Sequence, residues 1–387
     1  MGVAIVPHAP ERAGHVAELN RRLSAAGSTW RFYESHIPDW LPRRPGQKVW
    51  REYHLAVEDG GTVRGGYCLK PQEFLVHGES CVVGSWQGPV SEGIADRRYN
   101  ALGLVMIQDM LRKQPALFSW GATEPLPRIL RSLCWLVVGT PFCLRVLRPF
   151  RFLRRNAFLR RTGTSRALLD LLAFSGAGLA GHAALRAVER LRAPRIPRTQ
   201  AEVVESFGAW ADEVWERSAA RYTMIAVRDS ATMNALLPQD GWPNAIRLRV
   251  SDGSRDIGWA AVVDSPMQSD RRFGSLRVGT VIDCLAEPED APGVVSAALD
   301  FLAARGADIV CSNVTHPEWV RAFAANGFHV LEDRRLFSAS RELAGRLGPF
   351  EEARRGIHLT PLDGDGPQGF ALHAHTRREP AHPSSSS

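Results

Sequence analysis

The chain has 387 residues, 44% of them hydrophobic, and a formal net charge of +7 at pH 7. This length favours two or three domains, of which we expect two. The six cysteines are scattered and form no C-x-x-C pair, so we expect a reducing compartment and no metal site. The sequence shows no secretory signal, and its longest apolar run, Leu168 to Leu185, is too short to span a bilayer. We therefore expect a cytoplasmic protein.

The first part of the chain predicts the order β-α-β-β-β-α-β-α-β. Gly27 is a plausible end of the first helix, and Asp59-Gly60-Gly61 marks a tight hairpin. In chain order the predicted segments are residues 3–8, 11–27, 51–76 (a hairpin), 79–93, 99–113, 116–122, 127–138 and 141–149.

The later part of the chain repeats this order, which predicts a duplicated fold. Its predicted helices are residues 200–222, 231–237, 291–306 and 317–327. Its predicted strands are residues 245–266 (a hairpin), 275–286, 307–315, 328–340 and a closing strand and loop within 357–367. We divide the chain into a first domain (1–155), a basic amphipathic connector (156–200), a second domain (201–365) and a disordered tail (366–387).

Arginine alternates with Leu, Val and Phe from Arg145 to Arg161, and no acidic residue occurs between Pro125 and Leu169. Such a segment attracts phosphate groups, so it is a candidate for peripheral contact with an anionic membrane. The alternative is an exposed face whose partner is water. We expect no nucleic acid, because no recognition-helix or base-stacking motif occurs.

Small and basic residues stand where the strand at 79–93 leads into the helix at 99–113. Arg97 and Arg98 supply charge, and Asn100, Ala101 and Gly103 let the backbone approach a ligand closely. The first N–H groups of a helix lack partners and carry partial positive charge, so this turn is a candidate phosphate site. The alternative is that the small residues only allow the helix to pack tightly on the sheet.

The segment "RYNALG" resembles the Arg/Gln-x-x-Gly-x-Gly/Ala pyrophosphate loop of the GNAT acetyltransferase superfamily, except that Ala101 stands where glycine is usual. The order of elements in both halves also resembles GNAT domains. The resemblance implies an α/β (α+β) fold of two tandem GNAT-like domains, each a mixed, mainly antiparallel sheet flanked by helices. It implies that the cofactor contacts are made by Arg97, Arg98, Tyr99, Asn100, Ala101, Leu102 and Gly103.

The resemblance further implies transfer of an acyl group from acetyl-CoA or another acyl-CoA to an amine of a small molecule, amino sugar or amino acid. We expect the first domain to bind the donor, because Glu287, Glu289 and Asp290 replace the loop in the second domain and would repel a diphosphate. The acceptor, the acyl chain length, the choice between CoA and acyl-carrier protein, and the oligomeric state stay open.

An amine must lose a proton before it attacks a thioester, so a carboxylate is the expected base. Glu92 is the first candidate, and Asp283, on the equivalent strand of the second domain, is the second. The alternative for Glu92 is a solvated carboxylate that balances Arg97 or Arg98. The alternative for the whole chain is an inactive GNAT-derived module that docks on an anionic membrane or a protein partner.

Overall fold

The structure is a computed structural model that describes residues 2–34, 41–176, 178, 180–181, 183–184, 196, 198–239, 245–270 and 273–364. Within these residues, fourteen strands join in one sheet. The strands are β1 (Val3–Pro7), β2 (Glu52–Glu58), β3 (Val63–Val76), β4 (Glu79–Ser91), β5 (Leu117–Trp120), β6 (Leu136–Val146), β7 (Gln200–Val204), β8 (Met224–Ala226), β9 (Ala245–Ser251), β10 (Asp256–Pro266), β11 (Arg277–Ala286), β12 (Ile309–Ser312), β13 (His329–Ala339) and β14 (Ile357–His358).

The helices lie between these strands. They are α1 (Ala13–Ala25), α2 (Leu102–Lys113), α3 (Leu126–Ser132), α4 (Pro149–Arg155), α5 (Gly163–Phe174), α6 (Ala209–Ala219), α7 (Ser230–Leu236), α8 (Ala291–Ala304), α9 (Pro317–Ala325), α10 (Arg341–Leu347) and α11 (Phe350–Ala353). Three of them, α4, α10 and α11, were not predicted. Among the described residues, no helix has both the length and the apolar character needed to cross a bilayer.

The two halves exchange strands at the centre of the sheet. The order of strands is β1-β2-β3-β4-β5-β13-β6-β12-β11-β10-β9-β7. Strand β13 of the second half therefore lies between β5 and β6, and it is antiparallel to both. Strand β6 of the first half in turn pairs with β12. The predicted mixed α/β class is confirmed, and the structure adds that the two sheets are continuous.

Successive side chains of a strand point to opposite faces of the sheet, and in the first half each face packs against its own core. Leu55 belongs to the core beneath α1, whereas its neighbour Ala56 belongs to the core beneath α2 and α3. The second half has one large core that includes the fully buried indoles of Trp259 and Trp319.

Three predicted elements differ from the structure. Residues 200–204 were predicted to be helical but form edge strand β7, antiparallel to β9, and α6 begins only after Gly208. The helix predicted for 127–138 ends at Ser132, because Cys134 has a φ of +58° and the following valines pair with β13. The closing strand is limited to Ile357–His358.

Two further predicted segments, the connector and the tail, lie partly or wholly outside the described residues. The connector predicted for 156–200 contains α5, and much of its remainder is not described. The tail predicted for 366–387 lies outside the described residues.

Candidate active site

A gap opens between two strands of the first half. Strands β4 and β5 are parallel, but they pair only at Gly84–Leu117 and Ser85–Phe118. Strand β4 then continues to Ser91, so the two strands part after Ser85. Where parallel strands part, their backbone N–H and C=O groups can bind a ligand instead of each other.

Helix α2 begins close to the end of β4 and presents unpaired donors. Among the described residues, the backbone N–H groups of Ala101, Leu102 and Gly103 form no hydrogen bond. A methyl group added to Gly103 would meet no atom within 4 Å, so the flank of α2 at this residue is open. The start of α2 therefore has the free N–H groups and the partial positive charge that an anion needs.

Two inward side chains hold this turn in place. Tyr99 and Leu102 are buried, and the guanidinium of Arg64 lies 4.6 Å from the centre of the Tyr99 ring. Gly93 lets the preceding turn approach, because a Cβ atom there would lie 2.7 Å from the carbonyl oxygen of Tyr99. Tyr99 and Leu102 thus anchor the predicted loop to the core.

The exposed side chains of the loop have different partners. Arg98 is exposed and forms an ion pair with Asp96, with Nη2 and Oδ2 2.6 Å apart. Arg98 also lowers the pKa of the Asp96 carboxyl through this hydrogen bond. Arg97 and Asn100 are exposed, and within the described chain Arg97 has no ion-pair partner. Arg97 is therefore the arginine of the loop that is available to a bound anion.

Glu92 lies just before this loop, in a short 3-10 turn (Glu92–Ile94), and only 4% of the residue is exposed. Its carboxylate accepts hydrogen bonds from Nε and Nη2 of Arg22, at 2.7 and 3.0 Å, and from Nη1 of Arg64, at 3.1 and 3.3 Å. It therefore balances these two arginines and not Arg97 or Arg98. A catalytic role for Glu92 stays a prediction, and its contacts favour a structural role.

Asp283 lies on β11 and is completely buried. Its carboxylate accepts hydrogen bonds from Arg228, from the hydroxyl of Thr360 and from the indole Nε1 of Trp259. Glu92 and Asp283 thus bind different arginines in different halves, and no described contact brings them together. A catalytic role for Asp283 also stays a prediction.

The chain segment from Thr360 to Gly364 joins the two halves beside Asp283. Lys70 Nζ donates to the carbonyl of Leu362 at 2.7 Å, and the side-chain amide of Gln87, on β4, donates to the carbonyl of Gly364. The backbone N–H of Leu362 donates to Ile282 on β11. This segment therefore lies between β4 of the first half and β11 of the second.

The corresponding gap of the second half is filled by the chain itself. Strands β11 and β12 part after Val281–Ser312, and three alternate carbonyls of β11 then accept hydrogen bonds from other parts of the chain. The backbone N–H of Leu362 donates to the carbonyl of Ile282, and the ring of His358 donates to that of Cys284. The hydroxyl of Tyr222 donates to the carbonyl of Ala286. These contacts leave no room for the arm of a coenzyme between β11 and β12.

A cavity of about 940 Å³ lies beside this filled gap, between the β11–α8 loop and the start of α9. Four arginines and four carboxylates line it. Because these charges balance, the cavity offers little net attraction for a diphosphate.

Trp86 is a candidate site residue that the sequence analysis missed. It lies on β4 one residue beyond the last pair with β5, and it is 4% exposed. Its indole Nε1 is buried and has no hydrogen-bond partner in the described structure. Buried indole N–H groups usually have one, but this N–H is enclosed in the core beneath α2 and α3, one residue beyond the point where β4 and β5 part. A tryptophan in a strand gives no sequence signal for such a role, because tryptophans usually pack in the core.

No family model matches the sequence, and a search of curated proteins finds no match. N-myristoyltransferase from Saccharomyces cerevisiae, solved with bound myristoyl-CoA, aligns with a TM-score of 0.52 and 11% identity over 87% of this chain and 82% of that chain. A second structure of that protein, with bound myristoyl-CoA and inhibitors, aligns with a TM-score of 0.51 and 11% identity over 87% of this chain and 79% of that chain.

The chain has the tandem GNAT-type fold. The likeness at 11% identity concerns the fold, and at that level the predicted resemblance is confirmed. A probable N-acyltransferase from Enterococcus faecalis V583 aligns more weakly, with a TM-score of 0.46 and 10% identity over 90% of this chain and 75% of that chain. Within the tandem GNAT-type fold, the gap between β4 and β5 and the turn at Ala101–Gly103 lie in the half that carries the predicted loop.

Proposed function

We propose that the protein is an acyl-CoA-dependent N-acyltransferase that binds its donor in the first half. The observation that carries this proposal is the set of three N–H groups without a hydrogen-bond partner in the described structure, at Ala101, Leu102 and Gly103, next to the open flank of α2 at Gly103. In the yeast structures of the same fold, N-myristoyltransferase holds myristoyl-CoA, which supports an acyl-CoA as the donor here.

Different residues of the first half would bind the diphosphate and the pantetheine arm of the coenzyme. The three N–H groups and Arg97 would hold the diphosphate of the coenzyme, as helix N-termini commonly hold phosphates. The pantetheine arm would enter the gap between β4 and β5, which begins one residue before Trp86. No metal takes part in this proposal.

The other half would have a supporting role. Its gap is filled by Tyr222, His358 and Leu362, so we assign it no donor site. It contributes β13 to the sheet next to β5, and the segment at Gly364 contacts Gln87 on β4. The acceptor, an amine of a small molecule, amino sugar or amino acid, would approach the thioester from the region where the halves meet.

We assign Glu92 to positioning, because its carboxylate already binds Arg22 and Arg64. Both arginines reach neighbouring structure: Arg22 donates to the carbonyl of Val63, and Arg64 pairs with Glu58. The carboxylate therefore fixes the turn before the donor loop to α1 and β3. Neither Glu92 nor Asp283 is assigned proton transfer here.

Titration calorimetry of two matched variants tests the donor site. Gly103→Asp adds a negative charge at the second residue of α2, and Gly103→Asn adds a neutral side chain of the same size. Neither meets a steric obstacle, and an acid in the first turn favours the helix. We expect the aspartate variant to bind acetyl-CoA and myristoyl-CoA at least about tenfold more weakly than the asparagine variant, the effect of about 1.4 kcal/mol of repulsion. No acyl-CoA binding by the unmodified protein, or equal binding by both variants, would contradict the proposal.

Release of the coenzyme thiol tests the transfer step. We expect thiol-reactive dye to detect free CoA only when an amine acceptor is present, with panels of amino sugars and amino acids as probes. Binding of acyl-CoA without any acceptor-dependent release would favour the alternative, a GNAT-derived module without activity.

A further inference from the structure

The hairpin of helices α4 and α5 presents an apolar surface to solvent. Twelve large hydrophobic residues are exposed in the described structure, and six of them belong to this hairpin. The hairpin surface consists of Phe150, Phe158, Leu159, Leu168, Leu171 and Phe174. Contiguous exposed apolar patches on folded proteins usually mark an interaction site.

One face of α5 is the most exposed part of this surface. Leu168, Leu171 and Phe174 are 57%, 64% and 65% exposed. They are spaced by three residues, so they lie along one side of the helix. Their exposure is far above that of an ordinary core-facing helix, whose apolar stripe is covered by its neighbours.

Arginines surround the apolar residues. The guanidinium of Arg154 lies 4.6 Å from the ring centre of Phe174, and that of Arg161 lies 4.3 Å from the ring centre of Phe158. Asp170 is the single acidic residue between positions 149 and 176, and Arg160 neutralises it with two hydrogen bonds. The hairpin surface is therefore both apolar and strongly basic.

Residues in and just before α4 attach the hairpin to the second half. Arg148 and Arg151 form ion pairs with the buried Asp308, and Phe152 packs against the small core that contains Ile309. Phe150 of α4 packs on Phe174 of α5, with ring centres 5.8 Å apart. Helix α5, with Leu171 and its neighbours exposed, thus rests on an anchored α4.

We propose that the α4–α5 hairpin docks on the surface of a bilayer that contains anionic phospholipids. The arginines would contact lipid phosphates, while Leu168, Leu171 and Phe174 would enter the boundary between headgroups and acyl chains. Helices that lie in a membrane interface combine such an apolar face with a basic one. A nucleic acid fits the exposed face of α5 less well, because two of its three apolar residues, Leu168 and Leu171, offer no ring on which bases stack. This inference goes beyond the proposed transferase activity and does not require it.

Vesicle flotation with the full-length protein tests this docking. We expect binding to phosphatidylcholine vesicles that contain about 30% phosphatidylglycerol, release at high salt, and little binding to pure phosphatidylcholine. Leu171→Glu should weaken binding by about tenfold, because it places a negative charge on the inserted face. Val203→Glu is the matched control, since Val203 is 57% exposed on edge strand β7, outside the hairpin.

Circular dichroism melting confirms that each variant is folded, and Leu168→Ser provides a second substitution on the same face. Equal binding to both kinds of vesicle, equal binding by Leu171→Glu and Val203→Glu, or binding to nucleic acid without binding to vesicles would overturn the proposal. Acyl-CoA titration of the same variants should give unchanged affinities, which separates this test from that of the donor site.

Discussion

Arg228 donates two hydrogen bonds to one oxygen of Asp283, at 3.0 and 2.9 Å, in a site where neither side chain reaches solvent. Arg228 also binds Asp363 at 2.7 Å. Burial alone would lower the pKa of Arg228, but the two carboxylates raise it above its ordinary value, so the guanidinium stays charged. This cluster ties the segment at Thr360–Asp363 to β11.

Asp283→Asn should therefore lower the stability of the protein. We expect the free energy of unfolding to fall by about 3 kcal/mol, because the change leaves a buried guanidinium with one carboxylate less. Urea denaturation measures this loss, and Asp300→Asn, on the exposed face of α8, is the control. A large loss of turnover with unchanged stability would instead make Asp283 a base.

Glu92→Gln should loosen the turn before the donor loop. We expect about 2 kcal/mol less stability, because Arg22 and Arg64 lose their shared charge partner, and weaker binding of acyl-CoA. Turnover at saturating donor should change only slightly, and Glu79→Gln, an exposed carboxylate at the start of β4, should change nothing. A fall in kcat of about a hundredfold at unchanged stability and donor affinity would assign proton transfer to Glu92.

Two glycines of the same loop should respond in opposite ways to alanine. Gly93→Ala places a methyl group against the carbonyl of Tyr99, so we expect a loss of about 1–3 kcal/mol and weaker donor binding. Gly103→Ala meets open space within α2, so we expect a gain of about 0.5–1 kcal/mol. Thermal unfolding measures both, and equal destabilisation by the two changes would show that the turn is packed differently.

The histidine at the start of α9 makes stability depend on pH. Burial lowers the pKa of His316 to about 4, with Glu318 opposing this shift and Arg321 adding to it. Above pH 6.5 the ring is neutral in both states. As the pH falls from about 6.5 to 4, His316 is protonated in the unfolded chain but stays neutral in the folded protein. The free energy of unfolding should therefore decline by about 3 kcal/mol over this range.

His316→Asn tests this dependence, because asparagine keeps an acceptor for the N–H of Glu318 at the start of the helix. Urea denaturation between pH 7.5 and 4.5 should show a smaller slope for the variant than for the unmodified protein. Parallel slopes would show that other groups, such as the buried His358, cause the decline.

The sequence predicted the parts of the structure that depend on local patterns. The order of elements and the position of the loop at Arg97–Gly103 follow from periodicity, turn residues and a short motif. The end of α3 was placed wrongly, because an apolar run that is a strand looks like a continued helix until Cys134 turns the backbone. Contacts between residues far apart in the sequence could not be predicted from local patterns. Glu92 binds Arg22 from 70 positions away, and Lys70 binds Leu362 from 292 positions away.

The exchange of β6 and β13 has a consequence for synthesis on the ribosome. When β6 has emerged, the place beside β5 is still empty, and the strand that fills it lies about 180 residues further along the chain. At the usual rate of about 5–20 residues per second, the nascent first half waits roughly 10 to 40 seconds for its neighbour. During that interval it exposes an open sheet edge, which is a natural target for chaperones.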